Sequence, residues 1–440
     1  MHPTAKNTLQ WIGLPLLVHC SSDRANSSAT AFLDGGLGSP ADDGSCATDT
    51  SLDAGLRTYG PYDSHIQYIG RIDVSDPAGP WLIESATCVT ARFRGNVAAI
   101  ELNDNASGGA DFFDVVVDDG GPFTLAPVNG SSSWYGLSTS DAAAPVGIGC
   151  GEHTLTIVKR TEATVGTTQV LGFQFAEALS LPAGATAPHR MEFIGDSLLC
   201  GYGVAADSPD AEACSDNGLG QPGYGQGVED GRLAFGVVMA SILGAEWHVT
   251  CESGVGLVRN TDNGYIDPRP MPVLYPLLHP ETTDNPTLWP PNQWAMAGGA
   301  PVQARPDVVV IELGGNDLSV STADGGQRPP IAVGSPSDAP DAAPSLAHGF
   351  LQFIPQLAAD FPGATFVLAQ NAPEVQSAID IVVAYYADGG AGAAANVRVV
   401  GFADGLPYPG AGCDGHPNAT QQAAAGARMA IFVKALMGWQ

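Results

Sequence analysis

Four short polar clusters in this chain hold residue types that could carry acyl-transfer chemistry. Gly195-Asp196-Ser197 follows directly on the apolar stretch 191–194 and offers a hydroxyl. Ser253-Gly254-Val255-Gly256 follows a second apolar stretch, and its glycines let backbone N–H groups approach a ligand closely. Leu313-Gly314-Gly315-Asn316-Asp317 follows a third and adds a neutral amide donor. Asp414-Gly415-His416-Pro417-Asn418 adds an imidazole with a carboxylate two residues before it. A hydroxyl, a base and a set of N–H donors are the parts that acyl transfer needs. Singly, each cluster has a plain structural reading: Gly-Asp-Ser makes a good helix cap, and glycine-rich loops are common. Together they are four clusters set where strand or helix boundaries meet one rim.

The elements that must position them are legible in the hydrophobic period. From residue 188 onward short apolar strands alternate with helical stretches. Strands are expected at 191–194, 247–250, 308–311, 365–368 and 397–400, and helices at 233–243, 345–360, 374–386 and 419–437. Such alternation predicts a parallel sheet covered on both faces, and ligands gather at the carboxyl ends of such strands. Two insertions interrupt it, 258–306 and 318–344. Upstream, residues 58–180 carry short alternating runs punctuated by Gly, Asn and Asp, including 88–94, 97–102, 113–117, 153–158 and 170–175. That pattern predicts an all-β sandwich, for which a jelly roll is one arrangement. Residues 21–57 read as a flexible linker, and 188–440 as the catalytic domain. A connection of about ten residues between the two domains spans at most roughly 33–36 Å. The sandwich is therefore expected to pack against the second domain and brace it.

Composition narrows the function. With 46 acidic and 17 basic residues the net charge is −29, which opposes nucleic-acid binding and electrostatic docking on anionic lipid. The 44% apolar content supports a buried core. Gly and Pro, 55 and 34 residues, predict many loops. The apolar run Trp11–Val18 is too short to span a bilayer but fits an export signal over residues 1–20. It ends at Cys20, which resembles the lipidation site of a bacterial lipoprotein except that His19 stands where a small residue is usual. Export, as a lipoprotein or a secreted protein, would permit disulfides among the eight cysteines. No CxxC pair suggests a zinc site.

Gly195-Asp196-Ser197 is not the GxSxG elbow of the α/β-hydrolases. The order of the four clusters resembles the SGNH (GDSL-type) hydrolases. The string Phe193-Ile194-Gly195-Asp196-Ser197-Leu198-Leu199-Cys200-Gly201-Tyr202-Gly203 is similar to carbohydrate esterase family 2. So is Gly151-Glu152-His153-Thr154-Leu155-Thr156-Ile157-Val158-Lys159-Arg160-Thr161-Glu162, in that family's N-terminal β-domain. The resemblance covers about residues 65–440. It implies a three-layer, flavodoxin-like SGNH domain behind an N-terminal jelly-roll sandwich. It also implies metal-free, cofactor-free deacetylation of acetylated plant polysaccharide such as xylan, with no obligatory protein partner. It assigns Ser197 as nucleophile and His416 as base. Asn316, Gly256 and the Ser197 N–H form the oxyanion hole, with Gly254 as the alternative glycine. Asp414 would orient His416 as in a triad, although the spacing is one residue shorter than the family's DxxH, and a backbone carbonyl could replace it. Trp294, in the first insertion near Trp289, would present a flat face to a sugar ring in the cleft wall. His153, His248, His279 and His348 have no metal-like spacing and read as structural. Two rival readings are an SGNH esterase acting on another acylated glycan, peptidoglycan or lipid, and a non-catalytic carbohydrate-binding protein.

Overall fold

The computed structural model describes residues 55–440 except 107–109, 138–147, 182–186, 207–213, 215–225, 262–267, 284–286, 320–328, 336–343, 370–371, 390–396, 403, 405 and 407–408. The expected export signal, Cys20 and nearly all of the linker lie outside the described residues.

The N-terminal part is an antiparallel sheet. Its centre is one strand, Cys88–Ala106, which joins the two short runs expected at 88–94 and 97–102. Gly95 sits between those runs at φ +134°, and the facing strand Gly166–Leu179 shifts register opposite it. The chain thus bends there without leaving the ladder. The first residues of the long strand pair with Ile66–Ile69 and Glu152–Lys159, and its later residues with Ser132–Gly136. The apolar residues of these strands enclose Tyr68, Phe93, Ile100, Phe113, Phe173 and Phe175. The Phe93 and Phe175 rings are stacked with centroids 4.9 Å apart.

The C-terminal part is a five-stranded parallel sheet. With its strands numbered one to five in chain order, as His189–Gly195, Ala245–Cys251, Val308–Glu312, Thr365–Ala369 and Arg398–Phe402, their order across the sheet is 2-1-3-4-5. This is the flavodoxin-like arrangement. Side chains alternate between two cores, as a period of two requires. Val308 and Val310 enter the core under helices Phe235–Leu243 and Ala419–Met437. Val309 and Ile311 enter the core under Leu346–Asp360 and Pro373–Ala387.

Trp294, in the insertion before the third strand, does not present a sugar platform. The strand Gln293–Ala297 of this insertion leaves the parallel-sheet part and pairs antiparallel with Ile66–Ile69, extending the N-terminal sheet. A register shift between Gln293 and Ala295 breaks the period of two, so Trp294 and Met296, two residues apart, face different cores. Met296 enters the sandwich core. Trp294 faces the core of the parallel-sheet part at 1% exposure, stacked on the His248 ring at 3.9 Å and 6°. The expected role of Trp294 as a sugar-binding face is therefore corrected: it is an interdomain packing residue.

Other contacts brace the two parts. Arg71 Nη1 donates to the Tyr275 carbonyl at 2.6 Å, and Trp247 Nε1 donates to the Ala86 carbonyl at 3.1 Å. Arg232 Nε donates to Asp114 across the interface. Truncating a fully buried tryptophan leaves a large cavity. Trp294→Ala is expected to lower unfolding stability by about 3–5 kcal/mol, read by thermal or denaturant melting. It should also change KM for a polysaccharide and a small aryl acetate by the same factor. A selective rise for the polysaccharide would return Trp294 to the cleft.

Candidate active site

Ser197 emerges at the carboxyl end of the first strand. Gly195 is required there: a Cβ would lie 2.8 Å from the Glu312 carbonyl oxygen and 2.5 Å from Leu199 Cδ1. Asp196 then caps the four-residue helix Ser197–Cys200, its Oδ1 accepting the Leu198 N–H at 3.0 Å. This fits the sequence expectation that Asp196 shapes the turn. Ser197 is 8% exposed, and its Oγ lies 2.7 Å from His416 Nε2.

His416 is held from behind by backbone. Its Nδ1 lies 3.1 Å from the Cys413 carbonyl oxygen. That oxygen can only accept, so Nδ1 carries the proton and Nε2 is left to accept from Ser197. The expected orienting role of Asp414 is corrected. Asp414 adopts a left-handed conformation, φ 50° and ψ 32°, and its Oδ2 accepts from the Tyr202 hydroxyl at 2.8 Å. The short D-G-H spacing leaves Cys413 O, not the carboxylate, against the ring. The Tyr202 ring packs edge-on to the imidazole at 4.9 Å. Gly203 (φ +70°) leaves room for Cys413, whose Cβ would be 2.8 Å from any side chain there, and a disulfide ties Cys413 to Cys214. Burial lowers the His416 pKa below its ordinary 6.5, opposed by the Cys413 hydrogen bond and the Asp414 charge. The ring is therefore a neutral base at pH 7.

Asn316 reaches the same place from the third strand. Its Nδ2 donates to Asp196 Oδ2 at 3.0 Å and to the Val255 carbonyl at 2.9 Å. An incoming oxyanion must share one of those N–H groups. Asp196 is itself paired with Glu312, the acid that ends the third strand. Burial raises both pKa values, that of Asp196 to about 6 and that of Glu312 well above the carboxylate range. Sequence reasoning missed Glu312, although an acid closing the apolar run Val308-Val309-Val310-Ile311 was a signal.

From the second strand, Gly256 does not serve as expected. Its N–H donates to Asn260 Oδ1 at 3.0 Å, and a Cβ would meet the Arg259 carbonyl at 2.0 Å. Gly256 is a tight structural turn. The alternative glycine, Gly254 at φ +78°, keeps an N–H with no hydrogen-bond partner among the described residues. Gly254, the Ser197 N–H and Asn316 are then the available donors.

The remaining candidates are structural. His153 pairs with Asp118 on the sandwich, and His279 bridges Asp73 and Glu281. Among the described residues the one group with metal-ligand proximity is Glu162, Cys200 and Glu229. The Cys200 sulfur is joined to Cys251 in a disulfide.

Residues 68–183 match the family model described as Carbohydrate esterase 2 N-terminal. The chain is 32% identical over 262 residues to Cellulase/esterase CelE of Acetivibrio thermocellus, covering 59% of this chain and 27% of that protein. It thus spans about a quarter of that relative's length. It is 28% identical over 361 residues to an acetylxylan esterase / glucomannan deacetylase of Cellvibrio japonicus, covering 80% of this chain and 85% of that protein. Among solved structures it resembles a family two carbohydrate esterase from Clostridium thermocellum in complex with cellohexaose. That match has a TM-score of 0.65 and 25% identity, over 85% of this chain and all of the other. The parallel sheet with Ser197 and His416 at its edge is the arrangement expected of the SGNH type. Within that class the chain resembles the carbohydrate esterases of family 2.

Two outcomes follow from the histidine's setting. Because the Asp414 carboxylate accepts from the Tyr202 hydroxyl while the ring Nδ1 faces the Cys413 carbonyl, Asp414→Asn should lower kcat by less than about tenfold, against about 10⁴ where a carboxylate orients the base. A loss near the larger figure would restore the triad. Because the base is active when neutral and its pKa is lowered, kcat/KM should hold as pH falls to 6.5. It should decline only below that value. A pH profile with its acid limb above 6.5 would contradict the assignment of burial as the dominant influence.

Proposed function

We propose that this chain is an exported serine esterase that removes O-acetyl groups from polysaccharide, xylan or another acetylated plant glycan. The observation that carries the reading is the 2.7 Å contact between Ser197 Oγ and His416 Nε2, with the opposite ring nitrogen committed to a carbonyl. The hydroxyl proton passes to Nε2 as Oγ attacks the acetyl carbonyl. Negative charge develops on the carbonyl oxygen beside Gly254, Ser197 and Asn316. Each such donor is typically worth about 2.7–4 kcal/mol. The tetrahedral intermediate collapses, and His416 returns the proton to the departing sugar oxygen. Water, activated by the same imidazole, then releases acetate from the acyl-serine.

The names of the relatives, among them an acetylxylan esterase / glucomannan deacetylase, support an acetylated plant glycan as the substrate class. The disulfides Cys200–Cys251 and Cys214–Cys413 suit an oxidising compartment and support export, as does the N-terminal apolar run.

Acetate release from a panel of acetylated xylan, acetylated glucomannan and O-acetylated peptidoglycan tests the substrate. Release from the plant glycans and not from peptidoglycan is expected, and the reverse would favour a bacterial glycan. Ser197→Ala should lose activity on every substrate by several orders of magnitude while melting as the wild type does. Retention of appreciable turnover would remove Ser197 from the mechanism.

A further inference from the structure

We propose that Glu162 of the N-terminal domain is a positioning residue for the oxyanion hole, which makes that domain part of the catalytic unit. The inference rests on the esterase reading for its kinetic consequence, but its structural content stands apart.

Glu162 lies three residues past strand Glu152–Lys159, where the chain turns out of the sandwich toward the hydrolase part. Its side chain is 1% exposed. Oε2 accepts two hydrogen bonds from one residue of the other domain, the Ser253 N–H at 2.9 Å and the Ser253 Oγ at 2.7 Å. Oε1 accepts from Thr164 Oγ1, and the Glu162 backbone N–H donates to Glu229 Oε1 at 2.8 Å. The segment is anchored further, with Ser85 Oγ and Gly231 N both donating to the Arg160 carbonyl at 2.9 and 3.0 Å. The carboxylate is thus clamped within a dry interface before it grips Ser253.

Ser253 immediately precedes Gly254, the glycine whose N–H faces no partner among the described residues. Holding both the N–H and the hydroxyl of Ser253 fixes its φ and its χ1. The Ser253–Gly254 peptide, which carries the Gly254 N–H, then leaves from a fixed Ser253 Cα with only ψ left to set its plane. The turn is closed by the Val255 N–H donating to the Glu252 carbonyl at 3.2 Å and the Thr261 N–H donating to the Gly254 carbonyl at 2.9 Å, so the central Ser253–Gly254 peptide is the plane left to set, and glycine is permissive on both sides of φ. A pair of charge-assisted hydrogen bonds to a rigid neighbour is a stiff constraint. Glu162 also lies close enough to the nucleophile turn for its charge to raise the Asp196 and Tyr202 pKa values, behind burial as the largest cause. The group is therefore at the site's edge, supplied by a domain that holds none of the reacting atoms.

The test uses the full chain with a small aryl acetate. Glu162→Ala should lower kcat by about 10- to 100-fold, the scale of a donor misplaced by about 1 Å, with KM little changed, because the loss falls on the transition state. Glu162→Gln keeps an acceptor oxygen toward Ser253 and should recover most of that loss. Hydrogen exchange across residues 252–257 gives a second readout that needs no catalysis. It should quicken in Glu162→Ala and return toward wild type in Glu162→Gln. Should Glu162→Ala fail to fold, Ser253→Ala removes the hydroxyl leg alone and should give a smaller fall in kcat with faster exchange of the same peptide. Unchanged kcat and exchange in the folded variants would overturn the proposal. An inactive wild-type chain would overturn the esterase reading instead, and the exchange experiment would still decide whether Glu162 holds the loop.

Discussion

The site depends on a reversal in the winding of the parallel sheet. The first strand, His189–Gly195, lies between the second and the third. The chain therefore leaves it in one direction and later crosses it to continue in the other. At that point the loops after three strands diverge from one edge and leave a crevice. Ser197 comes from the first, Gly254 from the second and Asn316 from the third. None of the three needs a long or flexible connection to reach the others. Register does the placing, since Gly195 lies beside Cys251 on one side and Glu312 on the other. The Cys200–Cys251 disulfide then ties the helix that begins at Ser197 to the second strand.

The base arrives from a different quarter, just ahead of the last helix, and its orientation is a backbone matter. A carbonyl dipole selects the tautomer as well as a carboxylate does but brings less charge to balance the imidazolium. The Asp414 carboxylate still contributes through space, since its charge raises the His416 pKa. The net direction is downward because the ring is buried. This arrangement demands that the Cys413 carbonyl stay fixed. The structure meets that demand with a disulfide, a close glycine contact at Gly203 and a capping box between Asn418 and Gln421 that starts the final helix two residues after His416.

Much of this was legible in the sequence where local rules apply. The apolar period located the strands and helices of the parallel-sheet part, and the last helix runs Ala419–Met437, matching the expected 419–437. The antiparallel and parallel sheets were readable from periods of two and from strand–helix alternation. Ser197, Asn316 and His416 stood out because each is a polar group at the end of an element. What could not be read depends on backbone geometry or on distant contacts. Residue type says nothing of a carbonyl, so Cys413 was invisible and Asp414 took its place. Gly254 and Gly256 differ in φ and in hydrogen bonding, which spacing does not reveal. Trp294 was misread because its strand joins a sheet more than two hundred residues upstream, and a bulge reverses the side-chain alternation. Glu162 sat within a family-like string, yet its partner Ser253 is 91 residues away.

The account requires Ser197 to carry the acyl group in a covalent intermediate. Acid quenching during turnover of an aryl acetate, followed by intact-mass analysis and peptide mapping, tests this directly. The predicted result is a mass gain of one acetyl group located on the peptide containing Ser197. Turnover without any adduct under conditions where deacylation limits the rate, or an acetyl group on another residue whose replacement abolishes activity, would contradict it.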